Sequence, residues 1–111
     1  MIEFNNYAVG RVVRRIRKSK RLSQEVFSGF AQLARSHLAM IENGSKQANF
    51  ETVWRIAAAF DMHPYELVRL IEEEAEALLI IEQIRSASAA SDPQQIRKSR
   101  APEALRVRRA C

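Results

Sequence analysis

The segment from Leu22 to Gly44 constrains the fold more than any other part of the chain. It consists of two short runs of helix-forming residues separated by Gln32-Leu33-Ala34. Ser23 is a favourable N-cap for the first run, because its hydroxyl can accept a hydrogen bond from a free backbone N–H. Asn43-Gly44 is a strong stop signal after the second run. The segment therefore predicts two helices joined by a tight turn, the second over residues 35–42.

Apolar residues at helical spacing predict further helices on both sides of this segment. Val9, Val13 and Ile16 indicate a first helix over about residues 8–20, and Asn49 is placed to cap a fourth. The positions predicted to be buried on the fourth helix are Phe50, Val53, Ile56, Ala57 and Phe60. Pro64 suits the first position of a fifth helix. No stretch alternates as a strand would, so the predicted fold class is all-α.

Composition excludes several classes of protein. The chain has 111 residues and a single cysteine, Cys111, which excludes a disulfide framework and a thiolate metal cluster. The longest fully apolar runs, residues 56–60 and 77–81, are too short to span a bilayer, and the N-terminus lacks the apolar segment of a secretory signal. We therefore expect a cytoplasmic protein that does not bind a membrane.

The charged residues are segregated along the chain. The net charge is +5, with seven Lys or Arg in residues 1–22, six in residues 86–111, and five Glu against one Arg in residues 72–85. Such segregation favours basic surfaces for a polyanion on either side of an acidic segment with a different role. Charge alone leaves nucleic acid and an ordinary solvated surface about equally supported.

The C-terminal part of the chain predicts an additional helix and a tail. Residues 72–85 contain no helix breaker, and their apolar residues cover more than one helical face, which is unusual for a helix that serves only its own domain. We interpret them as a dimerisation element, with folding back on the domain as the alternative. Ser and Ala residues from Ser86 onward predict a linker, followed by a basic, flexible tail to residue 111.

The residues Leu22-Ser23-Gln24-Glu25, Arg35-Ser36, Leu38, Ile41-Glu42 and Gly44 resemble the helix-turn-helix of the phage lambda repressor and Cro family, also called Xre-like. The resemblance continues in register through residues 51–53, 56–57 and 66–67. It implies a compact five-helix DNA-binding domain over residues 1–71, whose third helix enters the major groove.

The resemblance also implies roles for individual residues. Base reading falls on Arg35, Ser36, Ala39 and Met40, and phosphate contacts fall on Gln24 and Asn43. Lys46 follows Asn43 closely enough to reach the same DNA strand. Arg35 is the sharpest candidate, because a guanidinium can bind guanine O6 and N7 together, which provides roughly 1–3 kcal/mol of discrimination. Capping is the alternative for Gln24 and Asn43, and a solvated face for Arg35 and Ser36.

Other positions bear on the architecture. The pair formed by Arg17 and Glu42 resembles a salt bridge of the family that joins the first helix to the end of the third. Gln32 and Arg21 stand where the family often has glycine, and a left-handed conformation at either would cost roughly 1–2 kcal/mol. We expect Phe30 and Trp54, at positions that are frequently polar in the family, to pack into the core, with an interaction surface as the alternative.

No pattern predicts catalysis. His37 and His63 have no third ligand at a recognisable spacing, and Glu72, Glu73, Glu74 and Glu76 are typical of a solvated helix face. We therefore predict no enzyme activity, metal or cofactor, and instead a sequence-specific transcriptional regulator that binds double-stranded DNA as a homodimeric repressor. One alternative is an antitoxin or immunity-type regulator whose C-terminal segment binds a partner protein. Another is a protein-interaction module that has the fold without binding DNA.

Overall fold

The computed structural model describes residues 3–90 of the chain, and within this range it contains helices and no strands. The helices, in chain order, are α1 (Asn6–Ser19), α2 (Gln24–Ala31), α3 (Arg35–Glu42), α4 (Phe50–Ala59) and α5 (Pro64–Ala90). The all-α prediction is confirmed for this part of the chain.

Polar side chains cap the helices where the sequence predicts. The Ser23 hydroxyl accepts a hydrogen bond from the Val26 N–H at 3.1 Å, and Asn49 Oδ1 accepts one from the Thr52 N–H at 2.8 Å. At the start of α5, the Glu66 carboxylate accepts a hydrogen bond from the His63 N–H at 3.0 Å. These contacts satisfy backbone donors that have no partner inside the helix, and they define where the helices begin.

The core lies between the first four helices and the start of α5. The Phe27 and Phe60 rings stack with centroids 4.2 Å apart, which joins α2 to the end of α4. Helix α3 packs against both α1 and α2. The largest fully buried side chains are Phe27, Phe60, Leu38, Ile41, Ile56, Leu67, Val12 and Val13. Burial of these residues holds the short helices α2 and α3, which would not be stable in isolation.

Gly10 allows α1 to approach the end of α3 very closely. A Cβ atom at this position would collide with the carbonyl oxygens of Ile41 and Glu42. Backbone atoms cannot move aside as a flexible side chain can, so the approach requires glycine. This contact determines where α3 lies relative to α1.

Three turns contain a non-glycine residue in the left-handed region. Gln32 ends α2 with φ 58° and ψ 45°, and Arg21 and Asp61 have φ values of 60° and 58°. Gln32 and Arg21, which stand where the family often has glycine, therefore adopt the left-handed conformation themselves. Each such residue carries a conformational cost of roughly 1–2 kcal/mol that packing must offset.

Three aromatic residues lie at the surface, contrary to the predictions made from the sequence. Phe50 is 75% exposed, Trp54 is 56% exposed and Phe30 is 62% exposed. Phe50 and Trp54 are one turn apart on α4, and their ring centroids are 6.2 Å apart. The prediction that these positions are buried was wrong because the three residues lie off the faces of α2 and α4 that pack into the core. Ile56, Ala57 and Phe27 occupy those faces.

Helix α5 is longer than the sequence predicts. It continues through Ala90, so the linker predicted from Ser86 does not begin there. The first compact unit of the chain ends at Ala75, beyond the domain boundary predicted at residue 71. The described part of the second unit is the remainder of α5, in which Leu79, Ile81 and Ile84 are exposed. The predicted basic tail, residues 94–111, lies outside the described residues.

Candidate nucleic-acid interface

Helix α3 is anchored on one side and open on the other. Leu38 and Ile41 are 0% and 1% exposed, and they attach the helix to α1 and α2. Arg35 and Ser36 are exposed on the first turn of the helix. Among the other predicted base-reading residues, Met40 is 37% exposed and Ala39 is half-buried. The four residues therefore share the accessible side of one rigid helix.

The Arg35 guanidinium has no hydrogen bond or ion pair with any residue that the structure describes. No acidic side chain pairs with it, and the tight turn after Gln32 places it at the very start of α3. All five N–H donors of the guanidinium are thus available to an external acceptor. This arrangement suits a planar ligand edge with two acceptors, such as guanine.

Asn43 and Lys46 lie just beyond the other end of α3. Asn43 Oδ1 accepts a hydrogen bond from the Ser45 N–H at 2.8 Å, which fixes the side chain in the turn. Its amide NH₂ has no partner within residues 3–88, and neither does the exposed Lys46 ammonium. The capping alternative for Asn43 thus accounts for its oxygen only, and its donors are available for a phosphate.

Gln24 is more constrained than the sequence suggests. It is half-buried, and its Nε2 donates a hydrogen bond to Glu42 Oε1 at 3.0 Å. The side-chain amide has a second N–H, so this contact fixes the orientation of Gln24 without using all of its donors. The N-cap of α2 is Ser23, not Gln24.

Glu42 forms the centre of a buried polar network. Arg17 Nε and Nη2 donate hydrogen bonds to its two carboxylate oxygens at 2.7 and 3.0 Å. Arg17 Nη1 also donates to the Leu22 carbonyl oxygen at 2.7 Å. The predicted pair between Arg17 and Glu42 is therefore confirmed, and it joins α1 to the end of α3 and to the turn before α2.

A basic groove lies between α1 and the end of α3, and we call it the α1 groove. It has a volume of about 410 Å³. Its lining residues are Tyr7, Arg11, Arg14, Arg15, Lys18, Glu42 and Asn43. Because Glu42 is already paired with Arg17, the accessible lining is strongly cationic. Asn43 is shared between this groove and the surface of α3.

Glu74 holds two of the groove arginines. Its carboxylate accepts hydrogen bonds from Arg11 Nε at 2.9 Å and from Arg15 Nη1 at 2.8 Å. The hydrogen bond from Arg15 is the main reason that the pKa of Glu74 lies below its usual value of 4.5, while partial burial opposes this effect. The prediction that Glu74 is part of a solvated face is wrong. The spacing of Arg11 and Arg15 on one helical face was the only sequence signal for this contact.

The described residues form neither a metal site nor a membrane-spanning helix. Within residues 3–90 no three His, Cys, Asp or Glu side chains come together as metal ligands would. No helix in that range is both long enough and apolar enough to cross a lipid bilayer. His63 instead stacks on Tyr65, with ring centroids 5.3 Å apart.

Comparisons with known proteins agree with this geometry. The helix-turn-helix family model HTH_3 matches residues 13–67. The restriction-modification controller protein C.AhdI from Aeromonas hydrophila is 31% identical, with a TM-score of 0.54, over 56% of this chain and 94% of that one. No curated protein matches the chain.

A second solved structure shares the fold over a longer range. The clp gene regulator ClgR from Corynebacterium glutamicum is 15% identical, with a TM-score of 0.74, over 84% of this chain and 99% of that one. At this identity the likeness concerns the fold alone. Together, the matched family model and the identity to a nearly complete helix-turn-helix controller show that the chain belongs to the Xre-like, lambda repressor and Cro-type family of helix-turn-helix DNA-binding proteins.

Proposed function

We propose that this protein is a sequence-specific transcriptional repressor that binds a two-fold operator as a homodimer. In this proposal α3 enters the major groove, Arg35 and Ser36 contact base edges, and Ala39 and Met40 offer apolar contact to thymine methyl groups. Gln24, Asn43 and Lys46 contact phosphates and fix the register of the helix. Its place of action is the cytoplasm, and it acts by binding, without catalysis.

The free guanidinium of Arg35 is the observation that carries this proposal. Its donors have no partner among the described residues, and they stand on a helix that the core holds in place. Here Leu38 lies one turn from Arg35 and is fully buried. A fixed backbone holds the donors at the groove edge, which is the requirement for reading a base. The 31% identical protein is named as a restriction-modification controller, which supports a regulatory function for this chain.

The primary test is selection of bound sites from a random DNA pool, followed by gel-shift titration at increasing salt. A protein that holds several phosphates should lose affinity steeply as salt rises, and the selected sites should contain two related half-sites. A chain that yields no enriched sequence and no shift at low salt is a protein-interaction module, and our proposal would then be wrong.

Arg35→Ala tests base reading within the same assay. It should weaken the selected site far more than DNA of random sequence, since base contacts specify and phosphate contacts do not. Arg69→Ala is the matched control, because Arg69 is an exposed helical arginine of α5 that has no partner among the described residues. Equal losses on both DNAs would count against base reading by Arg35.

Exposed apolar residues of α5 support the homodimer. Leu79, Ile81 and Ile84 are 40%, 49% and 61% exposed, and all three lie in the segment 72–85 that we interpret as the dimerisation element. Burying such side chains at a two-fold contact is favourable by the hydrophobic effect. Sedimentation equilibrium should therefore show a dimer for the wild-type chain and a monomer for Ile81→Glu/Ile84→Glu.

The same exposed residues keep the partner-protein alternative open. If the wild-type chain is a monomer but still binds a selected DNA site, the C-terminal segment is better explained as a binding site for another protein, as in an antitoxin or immunity-type regulator. The oligomeric state measured by sedimentation thus separates the two proposals.

A further inference from the structure

We propose that the α1 groove is a second phosphate-binding site, which holds the DNA backbone beside the base pairs contacted by α3. This inference rests on the proposed function and extends it to residues that the family resemblance does not assign. Arg11 and Glu74 lie outside the matched residues 13–67. Arg14 and Lys18 lie within them, and the case for the groove rests on its own contacts.

The groove presents donors with few competing acceptors. Arg14 and Lys18 are exposed, and within residues 3–88 neither forms a hydrogen bond or an ion pair. The two lie four residues apart on α1, so they share one face of the helix. A phosphate only accepts hydrogen bonds, and two adjacent unpaired cations fit it without leaving any group unsatisfied.

Arg11 and Arg15 contribute additional charge. Each uses a single N–H to bind Glu74, through Nε of Arg11 and Nη1 of Arg15, so each guanidinium retains free donors. Their side chains are 54% and 56% exposed, whereas the Glu74 side chain is 10% exposed. The carboxylate thus lies beneath the two arginines, fixes their position and leaves their outer faces accessible.

Neutral donors in the groove indicate which polyanion it binds. The Asn43 amide belongs both to the groove and to the end of α3, and the exposed Tyr7 side chain lies at the same edge. A strand that contacts α3 therefore continues directly into the groove. The phosphates of a DNA backbone are regularly spaced, so a strand bound at α3 requires a surface that continues into the groove. Isolated carboxylates of an acidic protein partner would not require such a continuous surface.

The first experiment measures salt dependence on random-sequence DNA, which does not require a known operator. Arg14→Ala and Lys18→Ala should each lower the slope of log K against log salt by about 1, and the double variant by about 2. Arg69→Ala is the matched control and should leave the slope unchanged. Thermal unfolding should be nearly unaffected, because neither Arg14 nor Lys18 has a partner within the described part of the chain.

The second experiment locates the contact on a site selected from the random pool. Single phosphates are replaced one at a time by neutral methylphosphonates. Neutralising a phosphate that the groove holds should weaken DNA binding by the wild-type protein on the order of tenfold. The same neutralisation should have little further effect on binding by Arg14→Ala/Lys18→Ala, which has already lost the contact. Strictly additive losses at every phosphate would overturn the proposal.

The outcomes distinguish this proposal from the function on which it rests. If the wild-type chain binds selected DNA and Arg35→Ala abolishes the preference, but Arg14→Ala/Lys18→Ala behaves like Arg69→Ala, only the groove proposal is wrong. In that case the groove serves another anionic partner. If the wild-type chain binds no DNA at any salt concentration, both proposals are wrong.

Discussion

The guanidinium of Arg17 and the carboxylate of Glu42 form a two-hydrogen-bond ion pair at 2.7 and 3.0 Å that joins α1 to the last turn of α3. Their side chains are only 9% and 3% exposed. The position of α3, the helix proposed to contact the bases, therefore depends on an ion pair that is almost completely buried. Neither charge can be removed alone without leaving the other buried and unpaired.

We predict that Glu42→Leu lowers the free energy of unfolding by about 3 kcal/mol or more, since it leaves the Arg17 charge unpaired. The double variant Arg17→Met/Glu42→Leu should recover a large part of this loss, because an apolar pair requires no desolvated charge. Urea unfolding followed by circular dichroism measures both variants. If the double variant is no more stable than the single one, an unpaired Arg17 charge is not the cause of the loss and our reasoning is wrong.

The close approach of α1 and α3 predicts opposite effects for two glycine substitutions. Gly10→Ala should destabilise the protein by about 1–3 kcal/mol, because its Cβ would collide with backbone oxygens of α3. Gly29→Ala is the matched control within α2, where a Cβ would meet nothing within 4 Å. It should stabilise the protein by roughly 0.5–1 kcal/mol, since alanine favours the helix. Thermal unfolding of the two variants compares them directly.

The left-handed conformation of Gln32 predicts a different preference at the turn between α2 and α3. Gln32→Gly should be more stable than Gln32→Ala by about 1 kcal/mol, because only glycine adopts φ 58° without strain. The Gln32 carbonyl accepts a long hydrogen bond from Arg55, and both variants retain that carbonyl. Equal stability of the two variants would show that the turn relaxes to another conformation.

Local signals in the sequence predict the helix-turn-helix closely, whereas contacts distant in sequence escape prediction. The bounds of α3 follow from Asn43-Gly44 and from the turn at Gln32, both of which act within a few residues. Glu74 and Arg11 are 63 residues apart, and their contact depends on how α5 packs on α1. Charge counts along the chain therefore indicated an acidic segment but not its partners.

The length of α5 and the exposed aromatic residues escaped prediction for other reasons. The residues after Ser86 include several alanines, which have the highest helix propensity, and the first proline after Pro64 is Pro93. The Ser- and Ala-rich composition from Ser86 onward therefore did not end the helix. Phe50 follows the capping residue Asn49 directly, at an end of α4 that packing does not cover.

The contact between Glu74 and the two arginines predicts a pH-dependent contribution to stability. The folded-state pKa of Glu74 is lowered, mainly by the hydrogen bond from Arg15, so the folded protein favours the ionised form. Its stabilising effect is present above pH 4.5 and is lost as the pH falls through the lowered folded-state value. Glu74→Gln should therefore be less stable than the wild type at neutral pH, by about 1 kcal/mol given the exposed arginines.

Urea unfolding at a series of pH values measures this contribution. The difference between the wild type and Glu74→Gln should shrink below pH 4.5 and should also shrink at high salt, which screens the arginines. Glu82→Gln is a suitable control, because Glu82 is an exposed glutamate of α5 with no partner among the described residues. A difference that persists in acid would mean that the charge of Glu74 is not what stabilises the fold.

The guanidinium of Arg35, which has no partner among the described residues, predicts that even a charge-conserving substitution changes DNA preference. Arg35→Lys keeps the positive charge but replaces a planar pair of donors by a point charge, so it cannot bind two acceptors of one guanine in the same way. Affinity for the selected site should fall by roughly 1–3 kcal/mol, which is about 5- to 150-fold, while affinity for random-sequence DNA stays nearly constant. Competition gel shifts with both DNAs measure the ratio. Because Arg35 has no partner among the described residues, its replacement should leave the unfolding temperature unchanged, so a loss of preference reports on recognition alone.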